Sequence, residues 1–239
     1  NGANYMAMEF GGDGLKTLNM SDRIAICNLC VEAGAKTALM EVDEITLDYL
    51  RLHGREPKHS FKSDADACFA KVYDIDLSTI KPIVAKPHFV DSVVDAKECV
   101  GTHIDEAFLG SCNNGRIEDL RVGAALIKGR KVHPHVRFLV VPASAEVYRQ
   151  ALAEGIIDTF MEAGAIVMTA NCSVCWGSCQ GVIGEGEVLI STGTRNFKGR
   201  AGHKDSFVYL ASAATVTASA IKGEIATADM IECDTVNVL

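Results

Sequence analysis

The chain has 239 residues, 48% of them hydrophobic and 23% charged, with a net charge of −8 and a mean hydropathy of +0.14. This length fits one large domain or two small ones, and the composition excludes disordered, collagen-like and low-complexity chains. A pI near 5.4 excludes a general nucleic-acid binder, and apolar runs no longer than that at residues 138–142 are too short for a membrane-spanning helix.

Residues 1–19 read as a glycine-rich loop around Gly11-Gly12-Asp13-Gly14. Ser21 is a good N-cap for a helix in which Ile24, Cys27, Val31 and Ala35 recur at helical spacing, with Gly34 near its end. Residues 37–42 read as a short buried strand and 45–52 as a second helix. The polar, turn-rich stretch 53–66 is the best candidate for a domain boundary. Residues 66–75 and 83–94 are weakly patterned. From Ile104 the signal sharpens. Ala107-Phe108-Leu109 is a buried strand ending at Gly110, followed by a loop to Gly115. Ile117, Leu120, Ala124 and Ile127 then mark a helix. Residues 138–141 are a second strand, 145–153 and 156–163 two helices, and 166–168 a third strand that enters Asn171-Cys172-Ser173-Val174-Cys175. A strand at 188–191 and a small-residue helix within 209–220 complete the reading. Strands alternating with amphipathic helices predict an α/β fold with a mostly parallel sheet, in which sites lie at the carboxyl ends of strands.

The chain opens Asn1-Gly2-Ala3 without an initiator Met and with no visible signal peptide, so a processed or partial chain is expected. Its cysteine count, nine, is odd. In a cytoplasmic protein these read better as reduced thiols and metal ligands than as a disulfide framework.

Four features carry chemistry. Cys172-x-x-Cys175 brings two thiols to one side of a turn, which suits zinc, a redox dithiol or an iron–sulfur cluster, and equally two buried thiols. Cys179 leaves two ligand sets open: four cysteines closing a site with Cys112, or three that leave one metal position free. Gly110-Ser111-Cys112-Asn113-Asn114-Gly115-Arg116 sets a cysteine at a glycine-flanked loop tip ahead of a helix, which also fits a plain strand–turn–helix corner. In Thr194-Arg195-Asn196-Phe197-Lys198-Gly199-Arg200, two arginines suit bidentate carboxylate binding, or a solvated surface. Asn28 and Glu32 form an i, i+4 polar pair on a helix, which is also what a solvated helix edge looks like.

Together these segments resemble the aconitase superfamily, and within it the large subunits of 3-isopropylmalate dehydratases with their homoaconitase and dimethylmalate dehydratase relatives. Residues 110–116 resemble the family's first cluster-ligand loop, with Asn113 where Thr is usual. Cys172-Ser173-Val174-Cys175 resembles its CxxC, with Ser-Val where Gly-Pro is usual. Residues 195–200 resemble its substrate-carboxylate segment, preceded by Thr194 where an Asn is usual. Residues 26–35 resemble the helix that carries an active-site Asn and Glu, and 209–216 match a further segment with Ala in place of Pro.

The resemblance implies three-layer α/β/α domains with mostly parallel sheets, residues 1–62 ending the family's second domain and 63–239 forming the third. It implies a 4Fe–4S cluster held by Cys112, Cys172 and Cys175, with one iron open to substrate and Cys179 a bystander. Arg195 and Arg200 would hold substrate carboxylates beside Thr194. Asn28 and Glu32 would line the iron-side pocket, Glu32 near the bound hydroxyl. The implied reaction isomerises 2-isopropylmalate to 3-isopropylmalate by dehydration and rehydration, in leucine biosynthesis: C–OH polarisation by a Lewis acid, and proton removal from the next carbon. The alternatives are a homoaconitase or 2,3-dimethylmalate dehydratase large subunit and, from another class, a non-catalytic four-cysteine metal domain. The family's N-terminal domain and its swivelling domain find no counterpart in the sequence. The expected partners are therefore a small swivelling-domain subunit, the N-terminal part of a large subunit and a small hydroxy diacid, with no nucleic acid and no membrane. The chain is expected to be inactive alone.

Overall fold

The computed structural model describes residues 2–57 and 59–231. They fall into two compact units that divide between Ile80 and Lys81. The polar stretch 53–66 lies within the first.

The first unit pairs two parallel strands, β1 (Ala7–Phe10) and β2 (Thr37–Met40), with Ala7 opposite Thr37 and Phe10 opposite Met40. Strand β1 lies in the stretch expected to be loop. Strand β2 alternates exposed and half-buried residues and ends at Met40, so it is not the buried strand to Val42 expected from its run of apolar residues. Helix α1 (Met20–Leu29) is capped by Asn19, not Ser21. The Asn19 side chain accepts from the Asp22 N–H, and Asp22 accepts from the Asn19 N–H, both at 3.0 Å; this reciprocal pair satisfies two otherwise orphaned donors. The helix tightens to a 3-10 turn at Cys30–Ala33, which ends at Gly34 in the left-handed region. Helix α2 (Glu44–Leu52) is capped by Asp43. The same Asp43 holds the buried Arg23 through two 2.7 Å bonds, while Arg23 also donates to the carbonyls of Leu15 and Leu18. This ion pair fixes α1 against α2 and the 3-10 turn at Asp13–Thr17. The apolar core here is small: Ala3, Cys30 and Ala35 with Met8 and Phe10 against them.

The second unit is a seven-stranded sheet. Its strands are β3 (Ile83–Ala85), β4 (Val93–Asp95), β5 (Glu106–Gly110), β6 (Arg137–Val141), β7 (Ile166–Val167), β8 (Val188–Ser191) and β9 (Phe207–Leu210), in the order β4-β3-β9-β8-β5-β6-β7. Strands β9, β8, β5, β6 and β7 are parallel, and the β3–β4 hairpin is antiparallel at one edge. The mostly parallel α/β architecture is as expected. Helices α3 (Ser111–Asn114) and α4 (Ile117–Ile127) come after β5, α5 (Ala145–Ala153) and α6 (Ile156–Ala163) after β6, and α7 (Ala213–Lys222) after β9. Tyr209 and Leu210 belong to β9, not to the following helix, which starts only after its cap Ser212 accepts from the Thr215 N–H.

Alternation along the strands divides the core in two. Leu109, Phe138, Val140 and Ile190 face a cluster with Leu120, Ile127, Phe160 and Val216 of the helices. Each fully buried side chain of this size contributes about 1.5–3 kcal/mol. Phe108, Leu139, Val141 and Leu189 face the other way and are covered by Val174, Ile183 and Ala201 of irregular segments. Among the described residues no helix is long and apolar enough to cross a membrane.

Candidate functional site

The three chemistry-bearing segments of the second unit follow β5, β7 and β8. These strands are parallel, so all three segments leave the sheet at its carboxyl edge.

After β5 the chain makes a single helical turn, Ser111–Asn114, where a loop was expected. Ser111, directly before Cys112, has φ 73°, a conformation costly for a residue with a Cβ and typical of functional turns. Gly110 and Gly115 flank it. A Cβ on either would stand 2.6 or 2.3 Å from the Val141 carbonyl oxygen, so only glycines let the turn fold over the end of β6. Cys112 is exposed at the turn. Its neighbour Asn114 donates from its side chain to the Thr192 carbonyl. Thr192, just past β8 and buried, accepts from the Gly110 N–H at 2.9 Å.

Past β7, Asn171 accepts from the Ser173 N–H at 2.5 Å, and the Cys172 carbonyl accepts from the Cys175 N–H at 3.1 Å. Ser173 is a second left-handed serine, φ 43°, fully buried, with its hydroxyl donating to the Gln180 carbonyl at 2.8 Å. Val174 anchors the turn in the core. Cys172 stays exposed and Cys175 half-buried. The Cys175 Sγ lies against Gly193: a Cβ on that glycine would stand 3.9 Å from it. The Cys112 turn is thus fastened to Thr192, and the Cys175 Sγ lies near the adjoining Gly193. Cys179, also exposed, donates to Asn171 Oδ1 at 3.7 Å.

The arginine segment continues from Gly193. Thr194 is buried, and its hydroxyl accepts from Arg195 at 3.1 Å. Asn196, fully buried, donates to the Lys86 and Phe89 carbonyls. Arg200 donates from Nε to the Cys175 carbonyl at 2.6 Å and stacks its guanidinium 5.3 Å from the Phe197 ring centre. Arg195 and Arg200 are both half-buried.

Asn28 and Glu32 lie in the first unit. Asn28 is exposed in the last turn of α1, and the half-buried Glu32 is in the 3-10 turn that follows. The change of helix type at Cys30 shifts Glu32 off the regular i, i+4 face on which the pair was expected. Spacing along the chain does not reveal Thr192, Gly193 or Asn171 as organisers of the site. The one signal that marks the first two is their position just past an apolar strand run.

Among the described residues no three His, Cys, Asp or Glu side chains form a group that could hold a single metal ion. In an iron–sulfur cubane each thiolate binds a separate iron, so its ligands need not converge on one point. Three solvent-reachable thiols on two turns at the same edge of the sheet form a soft donor set of the kind such clusters take.

The family model described as "Aconitase family (aconitate hydratase)" matches residues 1–103 and 96–223. Curated relatives include the "Probable 3-isopropylmalate dehydratase large subunit" of Methanothermobacter thermautotrophicus, 50% identical over 94% of this chain and 54% of its own length. The 3-isopropylmalate dehydratase large subunits of Aquifex aeolicus and Hydrogenobaculum sp. are 48% and 47% identical, over 96% and 94% of this chain and 54% and 53% of theirs. The chain spans about half the length of the curated relatives it matches. With matched stretches running through both units and all the segments described above, the chain belongs to the aconitase family.

Proposed function

We propose that this chain is part of the large subunit of a cytoplasmic iron–sulfur hydro-lyase that isomerises 2-isopropylmalate to 3-isopropylmalate, a step of leucine biosynthesis. Membership of the aconitase family generally implies an iron–sulfur cluster, and the names of the relatives support the substrate. The observation that carries the reading is the Cys112 turn fastened to Thr192, with the Cys175 Sγ near the adjoining Gly193 and Arg200 tied to the Cys175 carbonyl.

In this reading Cys112, Cys172 and Cys175 would hold a 4Fe–4S cluster. When bound, it would supply a Lewis acid at an iron that no cysteine ligates. Cys179 stands aside, its thiol directed to Asn171. Arg195 and Arg200 bind the two substrate carboxylates, for which the planar guanidinium fork is suited. Thr194 fixes Arg195 through its hydroxyl. Asn28 and Glu32 would line the iron-side pocket, with Glu32 near the substrate hydroxyl. Residues 1–62 are assigned to the end of the family's second domain and 63–239 to its third. The activity belongs to an assembly with the rest of a large subunit and a small swivelling-domain subunit, consistent with the large-subunit names of the relatives. Free thiols at all eight described cysteines fit a reducing compartment.

The test is anaerobic reconstitution with iron and sulfide on the chain and on Cys112→Ala, Cys172→Ala, Cys175→Ala and Cys179→Ala. About four irons per chain should be retained in Cys179→Ala and lost in the other three. Isomerase activity towards 2-isopropylmalate should appear once the remaining large-subunit part and the small subunit are supplied. A cluster that requires Cys179, or no iron uptake at all, overturns the reading.

A further inference from the structure

The arginine segment has a support away from the cysteine turns. Asn196 stands between Arg195 and Arg200 in sequence and is fully buried. Its side-chain nitrogen donates to the Lys86 carbonyl at 2.8 Å and to the Phe89 carbonyl at 3.3 Å. A primary amide carries two hydrogens on one nitrogen, so a single asparagine can hold two carbonyls at once.

Both carbonyls belong to the turn that joins β3 to β4. Within it the Lys86 N–H donates to the Ser92 carbonyl at 2.9 Å, the Phe89 N–H to the Lys86 carbonyl at 3.5 Å and the Ser92 N–H to the Phe89 carbonyl at 3.2 Å. Each carbonyl thus serves the turn with one lone pair and Asn196 with the other. The turn is also fixed to β9. Ala85 pairs with Leu210, and the His88 ring stacks on Phe207 with 5.7 Å between centres. Asn196 therefore ties the arginine segment to an anchored piece of backbone.

The other end of the tie reaches the arginines. Arg195 directly precedes Asn196, and Phe197 directly follows it. The Phe197 carbonyl accepts from the Arg200 N–H at 2.9 Å. That turn lays the Arg200 guanidinium against the Phe197 ring and brings its Nε to the Cys175 carbonyl. Asn196 itself has no surface to offer a substrate, so any part it plays in binding runs through these neighbours.

We propose that Asn196 is a positioning residue for Arg195 and Arg200: by fastening their segment to the β3–β4 turn, it holds the two guanidinium groups at a set spacing for the two carboxylates of a diacid. This rests on the reading of those arginines as carboxylate binders given above. Two carboxylates joined in one small molecule are met best by two cations already in place, because side chains that must be ordered on binding lower the affinity. The β3–β4 hairpin thereby gains a role in binding although it carries none of the proposed site residues.

The experiment measures hydrogen exchange at the Arg200 Nε–H by NMR in the purified chain and in three variants. Asn196→Leu keeps the shape of the side chain and removes both donors. The second variant replaces residues 87–91 by Asn-Gly, which closes the β3–β4 hairpin directly and removes the Phe89 carbonyl. The third combines the two. Each single variant should speed Arg200 exchange several-fold and leave the β5 and β6 amides at wild-type rates. The combination should go no further than either, because both changes break the same tie. In the assembled enzyme Asn196→Leu should raise KM for 2-isopropylmalate about ten-fold with kcat within about two-fold, the pattern of lost ground-state binding.

Wild-type Arg200 exchange in Asn196→Leu, exchange that rises equally in β5 and β6, effects that add in the combination, or a fall in kcat at unchanged KM would overturn the proposal. If Asn196→Leu does not fold, the hairpin variant decides by the same rates. A wild-type assembly without isomerase activity would count against the substrate reading, and the exchange rates would still decide the positioning.

Discussion

Arg200 gives its Nε–H to the backbone carbonyl of Cys175 at 2.6 Å. An arginine proposed for substrate therefore also holds the backbone of a proposed cluster ligand. A hydrogen bond to a charged group is worth roughly 1.5–3 kcal/mol, and lysine has no equivalent of Nε at that point of its chain. Arg200→Lys is expected to shed iron from the reconstituted chain several-fold faster under a chelator, read at 400 nm, besides raising KM in the assembled enzyme. Iron loss at the wild-type rate would show that the bond does not support the turn.

Thr192 ties the Cys112 turn to the end of β8 from a buried position. Thr192→Val keeps the shape and removes the acceptor for the Gly110 N–H. A loss of about 1–3 kcal/mol in urea unfolding is expected, with Thr192→Ser close to wild type. Indistinguishable Val and Ser variants would refute the bridging role.

Gly110→Ala and Gly115→Ala should each drive a methyl into the Val141 carbonyl. The expected destabilisation is about 1–3 kcal/mol, with reduced cluster uptake. Gly11→Ala meets nothing within 4 Å and serves as the neutral control.

The Glu106 carboxyl, pushed up from 4.5 to about 7, binds its proton more tightly in the folded chain than in the unfolded one. Its contribution to stability is therefore full below about pH 4.5 and is lost as pH rises through 7. Urea unfolding from about pH 5 to 7.5 should lose roughly 3 kcal/mol in the wild type, and Glu106→Gln should flatten that slope. The lowered carboxyls Asp43, Asp105 and Glu187 titrate below this window.

In the first unit the Arg23 hydrogen bond holds the Asp43 carboxyl down at about 2. The stability from this pair is present above pH 3.8 and lost as pH falls through 2. Asp43→Ala strands the buried Arg23 guanidinium and should cost about 3–5 kcal/mol, read as faster hydrogen exchange at the α1 amides.

Much of this was legible in the sequence where local pattern and burial agree. The apolar runs at Phe108, Val140 and Ile190 are central parallel strands, and the helices at 145–153 and 156–163 have the bounds their periodicity predicts. Strands β1, β3 and β4 were not legible: they are three or four residues long and lie in a two-stranded sheet or in the hairpin at one end of the larger one, where pairing outweighs any apolar run. The small-residue helix expected within 209–220 starts only at Ala213, after the Ser212 cap, because Tyr209 and Leu210 pair in β9. The cysteines and arginines of the candidate site stand out by residue type. Their common support does not, since Thr192 meets Gly110 across 82 residues of chain.

That separation has a kinetic side. β8 inserts between β5 and β9, so the turn bearing Cys112 is made early along the chain, yet its fastening comes only with Thr192. Bringing such distant segments together costs loop entropy before any bond repays it, and long-range parallel pairing is slow for that reason. A growing polypeptide that has emerged only as far as Cys179 carries every thiol proposed for the cluster while Thr192 is still missing to fasten the Cys112 turn. If those thiols hold a cluster, they stand open to oxidation and mispairing until the sheet is complete.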